Sequence, residues 1–410
     1  MKRKFIKIIE FFKKNHRIKY FIEIGIFTAC LAVLVYFAAG DVESTIYGTI
    51  VGFMISSLFL YIFKVGVGYM EDALKVNFDT QKLLQIYSGN PGYRKRLESK
   101  GSTVEFAYAD VLVNKKNNPS EIPFSVEDHP EKHLELDDFI VENYAHIFSA
   151  HSNSVKKNFL TIRLDRFDRD TNTFYLSRST YFNHLVTNRA MDFFLFDDIT
   201  LRTIYEYGPL ISPLEESKMS NHIGINGLVF LSDGRLLVPR RKADATISKN
   251  KVTSSIAVML DFPKEYKNNP HSATITTEYL LKDNIFKNLS DRVKLPPDVI
   301  DETQTSIEFL GFGQNIYEGG KPQFYYAVTL HNMDTAAYYE YRERYFRENG
   351  SNYMIDADRC MYAAELDSYR FAKDGVQFQA YDEKGKLQKI HASYEMSYLC
   401  NIWHYRKYYE

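Results

Sequence analysis

Cysteine is scarce in this chain, and so is any imbalance of charge. Three of the 410 residues are cysteine: Cys30, Cys360 and Cys400. They form no C-x-x-C pair and no Cys/His spacing suited to zinc, so reduced thiols and no metal site are expected. Lys and Arg number 51 against 52 Asp and Glu. No global basic field therefore exists to attract a DNA or RNA polymer. Internal repeats and low-complexity segments are also missing, and no cofactor is expected.

Apolar sequence, by contrast, is plentiful near the N-terminus. Phe21–Ala39 is apolar almost throughout, Gly40-Asp41-Val42-Glu43 interrupts it, and Ile46–Phe63 is uncharged. Each run comes close to the ~20 residues that a bilayer core demands of a helix. The alternatives are a signal peptide followed by a buried helix, or a core helix pair; the expectation is a transmembrane helical hairpin over 21–63. Lysine and arginine crowd the segment before it and recur after it, while the turn carries only Asp41 and Glu43. The positive-inside rule then places both termini in the cytosol. Ser44, Gly48, Gly52 and Ser56 recur every four residues, and Gly25 and Ala29 do so in the first run. Such small residues suit close helix packing, within one chain or between chains of a homo-oligomer.

The expected organisation is a basic cytosolic N-terminus (1–20), the hairpin (21–63), a stalk with the first part of the soluble region (64–158), and a ligand-binding domain with a C-terminal helical extension (159–410). Strands are expected at Thr103–Val113, Phe159–Phe167, Phe174–Leu176, Gly224–Leu231, Leu236–Val238, Ser254–Leu260, Ser306–Ile316, Phe324–Leu330 and Val376–Tyr381. Helical spacing marks Leu136–His151, Tyr181–Met191, Ile275–Val293, Ala336–Arg347 and Ile390–Tyr408. The polar, proline-bearing stretch Asn117–His133 reads as a loop. Aromatics make up 15% of the chain, which suits a β-rich core and base-stacking surfaces.

From Gly224 through Gly227, Asp233, Gly234, Leu236 and Val238 to Arg240 and Arg241, the sequence resembles the opening hairpin of the Nudix fold. Phe309-Leu310-Gly311 and Pro322–Tyr326 resemble its later strand pair. The resemblance implies a cytosolic α/β/α sandwich within an α/β (α+β) chain. The family's catalytic chemistry does not carry over. Its helix holds Mg²⁺ with several carboxylates. In the best register here, Lys287–Leu295, Asn288 and Arg292 replace two of them, Tyr279 stands where an earlier Glu belongs beside Glu278, and only Asp291 remains.

A two-span anchor joined to a Nudix-like domain is similar to the SMODS-associated Nudix effectors of bacterial CBASS antiphage systems. That resemblance implies a non-enzymatic defence effector of the inner membrane. Its soluble domain would sense a cyclic-oligonucleotide messenger, and its spans would disrupt the lipid bilayer. Arg240, Arg241 and Lys242 at a strand end are candidate phosphate partners, with Ser254 and Ser255 on the next strand. Arg178, Tyr181, Asn183 and Asn221 are candidate stacking and base-edge groups, whereas His222 reads as an ordinary loop histidine. A nucleotide diphosphate hydrolase with an unorthodox site and a scaffold without a small ligand remain as alternatives.

Overall fold

The computed structural model describes residues 80–87, 89–117, 123–149, 151, 157–195, 199–241, 250–266, 269–349 and 361–410, together with 57 and 61. The chain divides into two units, Met1–Asn77 and Phe78–Glu410, and the second is described below. Its strands in order are β1 (Arg94–Ser99), β2 (Ser102–Ala107), β3 (Ala109–Val113), β4 (Ser125–His133), β5 (Leu160–Asp168), β6 (Thr173–Thr180), β7 (Gly224–Leu231), β8 (Leu236–Pro239), β9 (Ile256–Met259), β10 (Thr305–Asn315), β11 (Lys321–Leu330), β12 (Met361–Ala364), β13 (Arg370–Ala372), β14 (Gly375–Tyr381) and β15 (Leu387–Ala392). The helices are α1 (Thr80–Ile86), α2 (Asp138–Glu142), α3 (Tyr144–Ser149), α4 (Tyr181–Val186), α5 (Leu201–Tyr205), α6 (Asn284–Val293), α7 (Thr335–Glu348) and α8 (Met396–Tyr409).

One large sheet runs in the order β13-β14-β12-β8-β7-β11-β10-β3, with β15 on β14 and β9 on β7. At its centre β7 and β11 pair in parallel from Gly224/Gln323 to Leu231/Leu330. Every residue of β7 is buried, as a strand covered on both faces requires. Its alternating side chains feed two cores. Ile225, Val229 and Leu231 pack with Phe324, Tyr326 and Val328 against Ile285, Leu289 and Val293 of α6. Leu228 and Phe230 pack with Tyr325 and Ala327 against Tyr398, Leu399, Ile402 and Trp403 of α8. The protein is thus a mixed α/β fold built on large sheets.

The expected membrane architecture is corrected here. Among the described residues no helix is long and apolar enough to cross a membrane. The longest, α7 and α8, have 14 residues each, about 21 Å at 1.5 Å per residue against a bilayer core of about 30 Å. A two-span transmembrane hairpin, and with it an inner-membrane location, is therefore not supported. The stretch assigned to that hairpin, including Ser44, Gly48, Gly52 and Ser56, lies outside the described residues except for Ser57 and Tyr61.

Several boundaries also differ. The polar stretch expected as a loop contains β4, which pairs in parallel with β6. A buried ion pair holds it there: Arg178 is fully buried, and its Nη1 and Nη2 donate to Asp128 Oδ1 and Oδ2 at 2.6 and 2.8 Å. Arg178 Nη2 also donates to the Ala273 carbonyl at 2.8 Å, and Asp128 Oδ2 accepts from Ile275 N at 2.7 Å. The expected closing helix begins instead as β15, and α8 starts only at Met396. The helix expected from Ile275 opens with a π-turn, Tyr279–Asp283, before α6.

Arg178→Ala strands the Asp128 carboxylate in the interior. Its expected cost is about 3–5 kcal/mol, read as a lower midpoint in urea unfolding; a change within 1 kcal/mol would show that β4 is held by other means.

Candidate functional site

β8 and β9 share one edge of β7. β9 pairs with Gly224–Gly227, and β8 meets β7 only at Phe230 and Leu236. Ser255 joins the strands where they part: its Oγ donates to Leu237 O at 2.5 Å and accepts from Val229 N at 2.9 Å. Beside this junction lies a cavity of about 920 Å³. Its walls come from the first residues of β7 and β11, from β9, from α4, and from the segment that enters α8.

α4 supplies Tyr181 and His184, three residues apart and so on one helix face. Its cap is Thr180, whose Oγ1 accepts from Asn183 N at 3.2 Å. Asn221 sits in the left-handed region at φ 47 and exchanges hydrogen bonds with Asn188, Asn221 N donating to Asn188 Oδ1 at 2.9 Å. That bend places His222 against His184, ring centroids 3.7 Å apart, with Tyr181 stacked over His222 at 6.5 Å. Burial pushes both imidazoles well below the usual histidine range, and the Lys321 and Arg189 cations push them further. Both rings are therefore neutral at neutral pH.

The turn between β10 and β11 delivers the charges. Gly319 and Gly320 have φ of 58 and 80, values that favour glycine. The turn sets Glu318 and Lys321, both buried, 3.4 Å apart. Arg189 Nη1 meets Glu318 Oε1 at 3.1 Å, and Asn315 Nδ2 donates to Oε2 at 3.1 Å. Burial pushes the Glu318 carboxyl up, but the Lys321 and Arg189 cations outweigh it and leave it at about 2.

An amide pair crosses the central strands. Asn226 Nδ2 donates to Gln323 Oε1 at 2.7 Å, and both residues are buried at the cavity wall. Gly224 makes the pair possible, because a Cβ there would lie 2.1 Å from Gln323 Oε1. Near the start of α8, Arg241 reaches Glu395 at 3.1 Å. Lys251 and Lys373 line the same cavity and have no ion-pair partner among the described residues; Asp374, next to Lys373, lines it too.

Of the residues singled out from the sequence, Tyr181 and Arg241 line this cavity. Arg178, Asn183, Asn221, Arg240, Ser254 and Ser255 do not. Arg178 is the ion-pair anchor of β4, and Ser254 Oγ accepts from Asn401 Nδ2 at 3.1 Å inside the core. Arg240 bridges to Val252, and its Nε is buried without a hydrogen-bond partner among the described residues. Lys242 lies outside the described residues. Asp291 is also absent from the cavity wall; its carboxylate meets Lys294 Nζ at 2.7 Å. Sequence reasoning missed His184, Arg189, Asn226, Lys251, Glu318, Lys321, Gln323, Lys373, Glu395 and Ser397, and it read His222 as a bystander. Two signals were available: charges flanking a Gly-Gly turn, and a glycine at the start of a buried strand, which marks a close approach.

Glu318 also sets an acid limb. A carboxyl held at about 2, below its usual 4.5, contributes stability at neutral pH that is lost as pH falls from about 4.5 towards 2. Thermal unfolding should show that loss in the natural chain. Glu318→Gln should unfold at a lower temperature at pH 7, with Arg189 and Lys321 left unbalanced, and should show a flatter response below pH 4.5. An unchanged acid limb would contradict this assignment.

Set against known proteins, the chain matches no protein-family model, and no curated protein matches it.

Proposed function

We propose that residues 78–410 act as a receptor for a nucleotide-type ligand, a base carried on one or more phosphates. Within that class, a cyclic-oligonucleotide messenger is what the resemblance to Nudix-like defence effectors implies. The observation that carries this reading is the placement of an amide pair, an aromatic surface at Tyr181 and two lysines without an ion-pair partner among the described residues around one cavity. An amide pair presents one donor and one acceptor to a ligand whichever way both amides are turned. That pattern suits a base edge such as adenine N7 and N6. Tyr181, itself stacked on Phe159 at 4.9 Å and over His222 at 6.5 Å, gives that wall an aromatic surface. Lys251 and Lys373 offer charge for phosphate, and at about 920 Å³ the cavity is near the upper end of ligand-pocket sizes, roughly 300–1,000 Å³.

Binding without metal-dependent hydrolysis is the form of the proposal. Asp291 is engaged with Lys294, and Asn288 Nδ2 donates to Asn284 O at 2.7 Å. Tyr279 donates its hydroxyl to Asp261 O at 2.7 Å. Among the described residues no group of three or more His, Cys, Asp or Glu is placed to hold a metal ion.

Calorimetric titration of the full chain with a panel of cyclic di- and trinucleotides tests the proposal. At least one member should bind saturably. Asn226→Ala and Gln323→Ala should each weaken it about tenfold, and Lys251→Ala with Lys373→Ala should reduce its salt dependence. No binding by any member, or affinities indifferent to all of these changes, would overturn it.

A further inference from the structure

α8 begins where the cavity wall turns into the second core. Glu395 occupies its N-cap, yet the Glu395 side chain makes no capping bond. Its carboxylate is turned aside instead, accepting from Arg241 Nη1 at 3.1 Å and from Thr253 Oγ1 at 2.7 Å. The first N–H groups of a helix have no intrahelical acceptor, and the helix dipole makes that end attractive to anions. In α8, Tyr398 N already donates to the Glu395 carbonyl at 3.0 Å, which leaves the N–H groups of Met396 and Ser397, and both residues line the cavity.

A second observation points to a ligand at the same place. Ser397 is only 7% exposed and lines the cavity, and its hydroxyl has no hydrogen-bond partner among the described residues. The hydroxyl opens onto the cavity, where a polar guest can complete its hydrogen bonds. Arg241 adds to the demand. The one nitrogen Nη1 serves both Glu395 oxygens, at 3.4 and 3.1 Å. Its Nε and Nη2 donate to no described residue, which leaves one edge of the guanidinium fork open.

The backbone gathers further charges at this turn, two lysines and the carboxylate of Asp374. Arg241 N donates to Lys251 O at 3.0 Å, Glu395 N donates to Val252 O at 3.0 Å, and the Tyr394 hydroxyl donates to Lys373 O at 2.9 Å. Lys251 and Lys373 are thereby tied to the segment that enters α8.

We propose that the first turn of α8 is an oxyanion subsite, taking a phosphate group on the Ser397 hydroxyl, the N–H groups of Met396 and Ser397 and the open edge of Arg241. It rests on the nucleotide-receptor reading of the cavity and adds where the phosphate sits. Glu395 tunes the site. Its carboxylate holds Arg241 in place, and as a like charge beside the anion it also lowers affinity. Phosphate is tetrahedral and offers several strong acceptors, so it satisfies a serine hydroxyl, backbone N–H groups and a guanidinium edge at once.

Inorganic phosphate is the probe, titrated into the full chain and followed by ³¹P NMR line width, with circular dichroism to verify folding of each variant. Ser397→Ala should weaken phosphate about tenfold. Glu395→Gln keeps an oxygen for Arg241 and Thr253 but removes the charge, and should tighten phosphate about tenfold at low salt. Arg344→Ala, a surface cation outside the cavity, should change nothing. Phosphate affinity indifferent to both Ser397→Ala and Glu395→Gln would overturn the subsite even if nucleotides bind. If phosphate shows the expected pattern while no nucleotide binds, the subsite stands and the nucleotide reading falls.

Discussion

Everything in Phe78–Glu410 depends on the parallel pairing of β7 with β11. Parallel strands need both faces covered, and here α6 lies over one face and α8 over the other. The same register puts Gln323 beside Gly224. Two polar amides can then stand at the end of an otherwise apolar pair of strands, because the missing Cβ leaves them room. The cavity exists where the pairing ends and the flanking strands β8 and β9 diverge.

Burial gives the cavity its electrostatic character. Glu318 meets both Lys321 and Arg189, so one carboxylate answers two cations, and burial together with the remaining positive charge keeps the two imidazoles beside them neutral. Near the start of α8, Glu395 answers Arg241, Lys251 and Lys373 have no ion-pair partner among the described residues, and Asp374 adds a second carboxylate. Cations outnumber carboxylates on each side, so the cavity as a whole favours a negatively charged guest. Its charges come from the β10–β11 turn and the turn after α4 on one side, and from the β13–β14 turn and the entry to α8 on the other.

The strands that form the centre of the protein were legible in the sequence. Gly224–Leu231 and Phe324–Leu330 are apolar runs bounded by turn residues, and continuous burial leaves that mark whatever the partner strand. β4 was not legible, because polar residues hide a strand whose stability comes from Arg178 and Asp128, fifty positions apart. The boundary of α8 was missed for a related reason: Ile390 and the residues after it are apolar enough to extend a helix, yet pairing with β14 holds Leu387–Ala392 extended. Two long apolar runs read as a membrane hairpin by length alone, and no described helix meets the length and apolarity such a span requires.

For the site, the sequence by itself determined a supply of chemistry: a Gly-Gly turn flanked by opposite charges, a Tyr and a His three residues apart, basic residues after a strand. Tertiary structure decided which of these meet. Arg178 and Ser255 carry groups fit for phosphate, but the fold spends them on Asp128 and on the β7–β8 junction. His222 and Gln323 look ordinary in sequence, and strand register and a left-handed bend at Asn221 bring them to the cavity wall. The physical reason is that a side chain's hydrogen-bonding capacity is local, whereas whether it is left unsatisfied depends on neighbours far away in the chain, and an unsatisfied buried group is what makes a site.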